Sequence, residues 1–463
     1  MSRVLLLGLS PLPFENELRL YGPGIRTWQL TKPLLQDGHD VCLVAARIRG
    51  AYRDEREPVV CIKDDGLVRY SVAEERFWDA AFLQSVCDAF APDAIVGATA
   101  YGSSAAAGLR SDRPFWADVF GDLLAEGQAK AAAYDDDYVI VHFWNVLRPV
   151  LDRADVFSSV SARQAYALLG ALGVRGRLNK HSSGYTFVHP IPCGMDLDGV
   201  AAGDGIADDR QAFGDDFVVL WSGGYNTWAD VDTLFRGLET AMARNPRVRF
   251  LSTGGQIDHH DEKTYPRLLR LIARSRFRDR FEMKGWLPTE EVAGYYRKCH
   301  VGVHAELPLS ERLLGSQNRV VAWMQAGLPV VCTSLSEFGE TIAHQGLGLA
   351  VPPQDPESLA RALLALADDP ERRRDCARRA QSYALEHLTF GATTRPLRDW
   401  AFHPGCAPDR GKRIPLETFQ ATPVEERPLE HYLLTVRMQG WSKANQRVLR
   451  HFGRRIKRAL RST

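Results

Sequence analysis

Two glycine-containing segments stand where a chain would bring its backbone close to an anion: Gly22-Pro23-Gly24-Ile25-Arg26 and Ser222-Gly223-Gly224. Each sits between an apolar run and a helical pattern. Glycine lets backbone N–H groups approach a phosphate, and a helix N-terminus adds partial positive charge. Arg26 falls in the first turn after its loop and would reach an anion directly; the alternative is a tight turn with a surface arginine. Asn226, Trp228 and Asp230 continue the second segment, where Asp230 is either a ligand contact or the helix N-cap. A third segment, Lys284-Gly285-Trp286-Leu287-Pro288, ends a strand pattern, with Thr289 as an expected N-cap and Trp286 set against the domain wall or a nucleobase. A fourth runs from Glu306 to Arg319 and holds Glu311, Ser316 and Arg319 around a Leu-Leu-Gly step. A carboxylate here would hold hydroxyl groups, and a fixed arginine would neutralise a departing phosphate. A Glu311–Arg312 or Glu311–Arg319 pair is the structural alternative.

These residues need a frame. Val4 to Leu9, a glycine loop, a helix from about Ile25 to Gln36 and a strand from Val41 to Ala45 make a βαβ unit. Further apolar runs at 94–97, 114–119 and 156–160 alternate with helical stretches. A Gly/Asp-rich segment, 196–216, has linker composition, and a second βα series starts at Phe217. Its best-defined unit is Arg319–Thr333, a helix ended by Gly327, blocked by Pro329 and followed by the strand Val330-Val331-Cys332. The expected fold is α/β: two Rossmann-like domains facing across a cleft, at 1–200 and 201–395, with a C-terminal segment at 396–463.

Composition narrows the function. In 463 residues the hydrophobic fraction is 45%, enough for two cores, and the net charge of +1 gives no global field for nucleic acid. The eight cysteines contain no CxxC pair, so zinc and redox motifs are not indicated. His259-His260-Asp261 and Asp135-Asp136-Asp137 read as polar loops rather than metal sites, and no metal or cofactor is expected. No run has the ~20 apolar residues of a membrane span. The chain is expected in the cytoplasm.

Taken in order, Gly22–Arg26, Gly223–Asp230 and Ala326–Val331, with Ser161–Leu178 and Ile191–Gly194, resemble a subgroup of the GT-B-fold glycosyltransferases similar to family 4. The resemblance implies transfer of a sugar from a UDP-, GDP- or dTDP-linked donor to a glycan, lipid-linked or protein acceptor, with retention and without metal, as in polysaccharide biosynthesis. It implies donor contacts from Gly22, Gly24, Arg26, Gly223, Gly224, Asn226, Trp228, Gly285, Trp286 and Ser316. Arg319 and Glu311 would act on the leaving phosphate and the sugar. Asp118 and Asp122 would contact the acceptor. Leu314 and Ala322 occupy two positions, eight apart, at which many family members carry glutamates. A non-catalytic binding module and a nucleotide-sugar 2-epimerase are the competing classes.

From Trp441 to Thr463 the chain carries eight lysines and arginines and no acidic residue, with Val448, Leu449, Phe452, Ile456 and Leu460 at helical spacing. This basic amphipathic pattern suits an anionic membrane face, making the protein peripheral on its inner side, or packing across the first domain.

Overall fold

The computed structural model describes residues 1–64, 66–197, 212–416, 428–446 and 448–449. The chain forms two compact units, Met1–Arg413 and Ile414–Thr463.

The larger unit contains two sheets. The first comprises β1 (Arg3–Ser10), β2 (Asp40–Arg47), β3 (Val59–Asp64), β4 (Leu67–Val72), β5 (Ala94–Gly97), β6 (Phe115–Asp118), β7 (Val156–Ser159) and β8 (Val188–Pro190). Its order is β3-β4-β2-β1-β5-β6-β7-β8, parallel except for the β3–β4 hairpin. That hairpin was not expected; its outer strand, Val59–Asp64, has no buried residue. The second sheet comprises β9 (Phe217–Ser222), β10 (Val248–Thr253), β11 (Phe281–Gly285), β12 (Val301–His304), β13 (Val330–Thr333) and β14 (Gly348–Val351), all parallel, in the order β11-β10-β9-β12-β13-β14. Strands such as β5, β9 and β12 are buried throughout, as parallel strands covered on both faces must be.

Local chemistry sets the boundaries. Asp79, Asp122, Ser161, Asp230 and Ser336 each cap a helix through a side-chain oxygen. The first helix begins at Gly22 rather than Ile25, with Pro23 inside its first turn. Thr289 is the first helical residue, behind Pro288. Gly327 has φ +67°, as its stop position requires.

After the second sheet the chain returns to the first. Ser2 donates to Ala401 O (2.7 Å), Arg398 pairs with Asp37, and buried Arg177 pairs with Asp409.

In the smaller unit, Pro428–Gln439 is helical, and Leu429, Met438, Trp441 and Leu449 are exposed. Most of the basic stretch expected at 441–463 lies outside the described residues, as does most of the 196–216 linker. No described helix is long and apolar enough to cross a membrane.

Candidate active site

In a doubly wound sheet, ligands sit beyond the strand C-termini where strand order reverses. In the second sheet that point lies between β9 and β12. There β9 runs into Gly223, whose φ of +82° turns the chain sharply. At Gly224 a Cβ would come within 2.4 Å of Ile257 Cγ1, so the loop 254–257 packs where a side chain would stand. Arg319, in the first turn of the helix Asn318–Gln325, donates from Nη2 to Gly224 O at 2.7 Å. Its guanidinium lies 4.6 Å from the Trp221 ring. Its Nη1 is buried and bonds to no described residue. Burial lowers the Arg319 pKa to about 10. Trp221 is itself clamped between Tyr225 (4.7 Å) and His304 (5.3 Å), which makes a stiff floor. The arrangement is a strand-end glycine loop with a positioned cation whose buried Nη1 has no acceptor among the described residues.

The carboxylates nearby are differently engaged. Glu306, fully buried just beyond β12, accepts from Arg312 Nη1 and Gln317 Nε2, each at 2.9 Å. Glu311, expected to hold sugar hydroxyls, is buried with both oxygens on its neighbour Arg312. Burial raises its pKa, against the opposing pull of Arg312. Glu311 therefore forms one of the two pairs set out as alternatives, buried rather than at the surface. Arg319 belongs to the glycine loop instead. Ser316 lies against the Cys193 thiol. Asp230 caps its helix through one oxygen, while the other is buried and unpartnered among the described residues.

Around the rim, Asn226 donates from Nδ2 to His260 Nε2 at 2.8 Å, and Trp228 stacks under Arg312 at 4.7 Å. Trp286 follows Gly285 (φ +71°) and donates to Gln256 O at 2.9 Å. The first domain closes on it through Tyr21 (5.9 Å) and Arg19 (5.3 Å).

In the first domain the structure corrects the expectation. Arg26 does not face an anion site. It is 1% exposed and forms a bidentate pair with Asp118 (3.1 and 2.7 Å), while Nη1 donates to Gln29 and Pro192 O. Asp118 also accepts from Thr99 N (3.1 Å) and Ser158 Oγ (2.7 Å), so it has no capacity left for an acceptor. Asp122 is an N-cap. Gly24 answers to packing rather than phosphate, because a Cβ there would lie 1.9 Å from Pro11 O. Gly22 does look across the cleft, with Asn318 Nδ2 2.9 Å from where its Cβ would be.

Sequence reasoning missed one convergence. Glu126 and Lys130, on the helix Leu123–Tyr134, meet the loop bearing His260. Lys130 donates to His260 O at 2.8 Å, and Glu126 lies 3.8 Å from both Lys130 Nζ and His260 Nε2. Burial pushes Glu126 up to about 7 and His260 down to about 4. The i,i+4 spacing of Glu126 and Lys130 was visible, but it reads as an ordinary helix-surface pair.

With this geometry in view, residues 216–369 match the family described as Glycosyl transferases group 1. That matched stretch is a glycosyltransferase domain. No curated protein matches the chain. Among solved structures, sucrose-phosphate synthase (tll1590) from Thermosynechococcus elongatus is 17% identical, with a TM-score of 0.64 over 86% of this chain and 98% of that one. Anabaena Alr3699/HepE, in complex with UDP and glucose, is 16% identical, with a TM-score of 0.60 over 87% and 100%. An alpha,alpha-trehalose-phosphate synthase (UDP-forming) from Burkholderia vietnamiensis is 13% identical, with a TM-score of 0.60 over 87% and 100%. At these identities the likeness establishes the two-domain GT-B fold. The group 1 domain places the chain among glycosyltransferases as an enzyme class.

Proposed function

We propose that the chain transfers a sugar from a nucleotide diphosphate donor to a hydroxyl acceptor, in the manner of family 4: with retention, without metal and without a further cofactor. The observation that carries this is Arg319, held on the Gly223–Gly224 loop with an unsatisfied, buried N–H. A diphosphate at that loop would meet the guanidinium, which stabilises charge as the C1–O bond breaks. The acceptor oxygen forms its bond to C1 as that bond breaks. Its proton goes to the departing phosphate, so no protein nucleophile is required. Closure of the two domains would keep water out. The donor's nucleoside is uridine, guanosine or thymidine, and the acceptor a glycan, lipid-linked or protein hydroxyl of polysaccharide assembly. The basic stretch 441–463 would bring the enzyme to an anionic membrane surface.

Calorimetric titration with UDP-, GDP- and dTDP-sugars in the presence of a chelator tests this, with release of free nucleoside diphosphate as the turnover readout. Removing one charge-assisted bond costs about 1.5–3 kcal/mol, so Arg319→Ala should weaken binding roughly 10- to 100-fold. Binding of no donor, or equal binding by the variant, would overturn the assignment. An epimerised donor in place of free nucleoside diphosphate would make the chain an epimerase.

A further inference from the structure

The smaller unit carries apolar side chains with no core to bury them. Its helix Pro428–Gln439 is followed by Gly440, whose φ of +83° turns the backbone, and by helical residues at 441–446 and 448–449. Tyr432 joins the two segments: its ring meets Trp441 edge-on at 6.1 Å, and its hydroxyl donates to Asn445 Oδ1 at 2.7 Å. Leu429, Leu433, Met438, Trp441, Val448 and Leu449 are all exposed, Trp441 at 64% and Leu449 at 71%. None of these described residues belongs to a hydrophobic core of the molecule. Leu429 and Leu433 lie one turn apart on the first helix. Trp441, Val448 and Leu449 stand at i, i+7 and i+8 on the second, so each segment shows an apolar face. Single exposed apolar residues are ordinary, but six in so short a stretch mark a surface that something covers.

Charge decides what covers it. Nine of the chain's 58 lysines and arginines lie between His431 and Thr463, and none of its 57 acidic residues does, which leaves the rest of the chain net negative. Arg437 and Lys443 are exposed beside the apolar residues, and Arg437 follows Leu429 and Leu433 on the same row of the first helix. Cations bordering exposed leucines, with a Tyr–Trp pair, fit an anionic bilayer. Aliphatic groups enter the hydrocarbon edge, aromatic rings sit at headgroup level, and long cationic side chains reach the phosphates. A nucleic acid would use the charge and the rings but leave the leucines in water. A second copy would set like charges against each other.

We propose that residues 428–449 form a docking hairpin that inserts Leu429, Leu433, Trp441, Val448 and Leu449 into one leaflet of an anionic bilayer. This deepens the membrane reading above and rests on it for the anionic surface. It adds an inserted apolar face, so that attachment does not depend on charge alone. Salt screens the attraction between the cations and the headgroups, whereas burial of apolar side chains survives it. Neither contribution depends on which nucleotide sugar the enzyme uses.

The test floats the full chain with vesicles of phosphatidylcholine, with and without phosphatidylserine, at about 0.1 M and about 0.5 M salt. Binding to the anionic vesicles should exceed binding to the neutral ones at least about tenfold, and should fall but persist at the higher salt. Brominated phosphatidylcholine in the anionic vesicles should quench tryptophan fluorescence. Trp441→Phe should keep binding within about twofold and lose most of that quenching. Leu433→Ser with Leu449→Ser should weaken binding at least about tenfold, with the melting transition of the chain unmoved. Equal binding by that double variant would overturn the inserted face. So would binding that vanishes at the higher salt without quenching, although electrostatic attachment would then stand. Binding to neither vesicle would overturn both readings. Tighter binding to duplex DNA or RNA than to the anionic vesicles would overturn the bilayer as partner.

Discussion

Removing the Asp118 carboxylate separates a structural role from a chemical one. Asp118 is 0% exposed and receives four hydrogen bonds, two of them from Arg26, itself 1% exposed. Asp118→Ala leaves a buried guanidinium without its counter-charge and frees Thr99 N–H and the Ser158 hydroxyl. Breaking one side of such a pair typically costs about 3–5 kcal/mol. For a domain of this size each kcal/mol moves Tm by about 2–4 °C, so the first transition should fall by roughly 6–20 °C. Replacing both partners, Arg26→Met with Asp118→Leu, should cost less than Asp118→Ala alone, because no uncompensated charge remains. Differential scanning calorimetry of the three variants, beside donor affinity, is the assay. A Tm within about 2 °C of wild type together with lost turnover would refute this reasoning and return Asp118 to the chemistry.

Other consequences are smaller. In the first helix, Gly24→Ala sets a Cβ 1.9 Å from a backbone oxygen and should cost at least about 2–3 kcal/mol by urea denaturation. Gly22→Ala crowds only the movable Asn318 amide, with the Phe120 ring at ordinary contact (3.4 Å), and should stay within about 1 kcal/mol. Glu126 has a folded pKa of about 7 against an ordinary 4.5, so the native state holds its proton more tightly and stability falls as pH rises between those values. Glu126→Gln should therefore be the more stable protein at pH 8, by up to about 2–3 kcal/mol, and equal to wild type near pH 4; the opposite pH trend would remove the basis for its raised pKa. Arg319→Lys keeps a charge but not the fork, and should restore only part of the nucleotide affinity lost in Arg319→Ala.

Much of the frame was legible in the chain because it depends on local rules. Alternating apolar runs and capped helices announce parallel sheets, and Asp230, Ser161 and Gly327 cap or stop helices through contacts within a few residues. The glycine loop of the second domain was legible for the same reason, since Gly223 and Gly224 directly follow a strand. The partners of charged side chains were not. Arg26 and Asp118 are 92 residues apart and meet only because the helix after β1 and the end of β6 come together at one end of the sheet, with β5 between their strands. Once both are desolvated, they satisfy each other rather than a ligand. Glu311 stood in sequence as either a sugar contact or the partner of Arg312, and burial beside Arg312 decides for the pair, while Glu126, at ordinary i,i+4 spacing from Lys130, accepts no hydrogen bond from a described residue. Residue types and turn chemistry were set by the sequence. Which charges are spent and which remain available depends on burial and long-range proximity, and only the tertiary structure decides those.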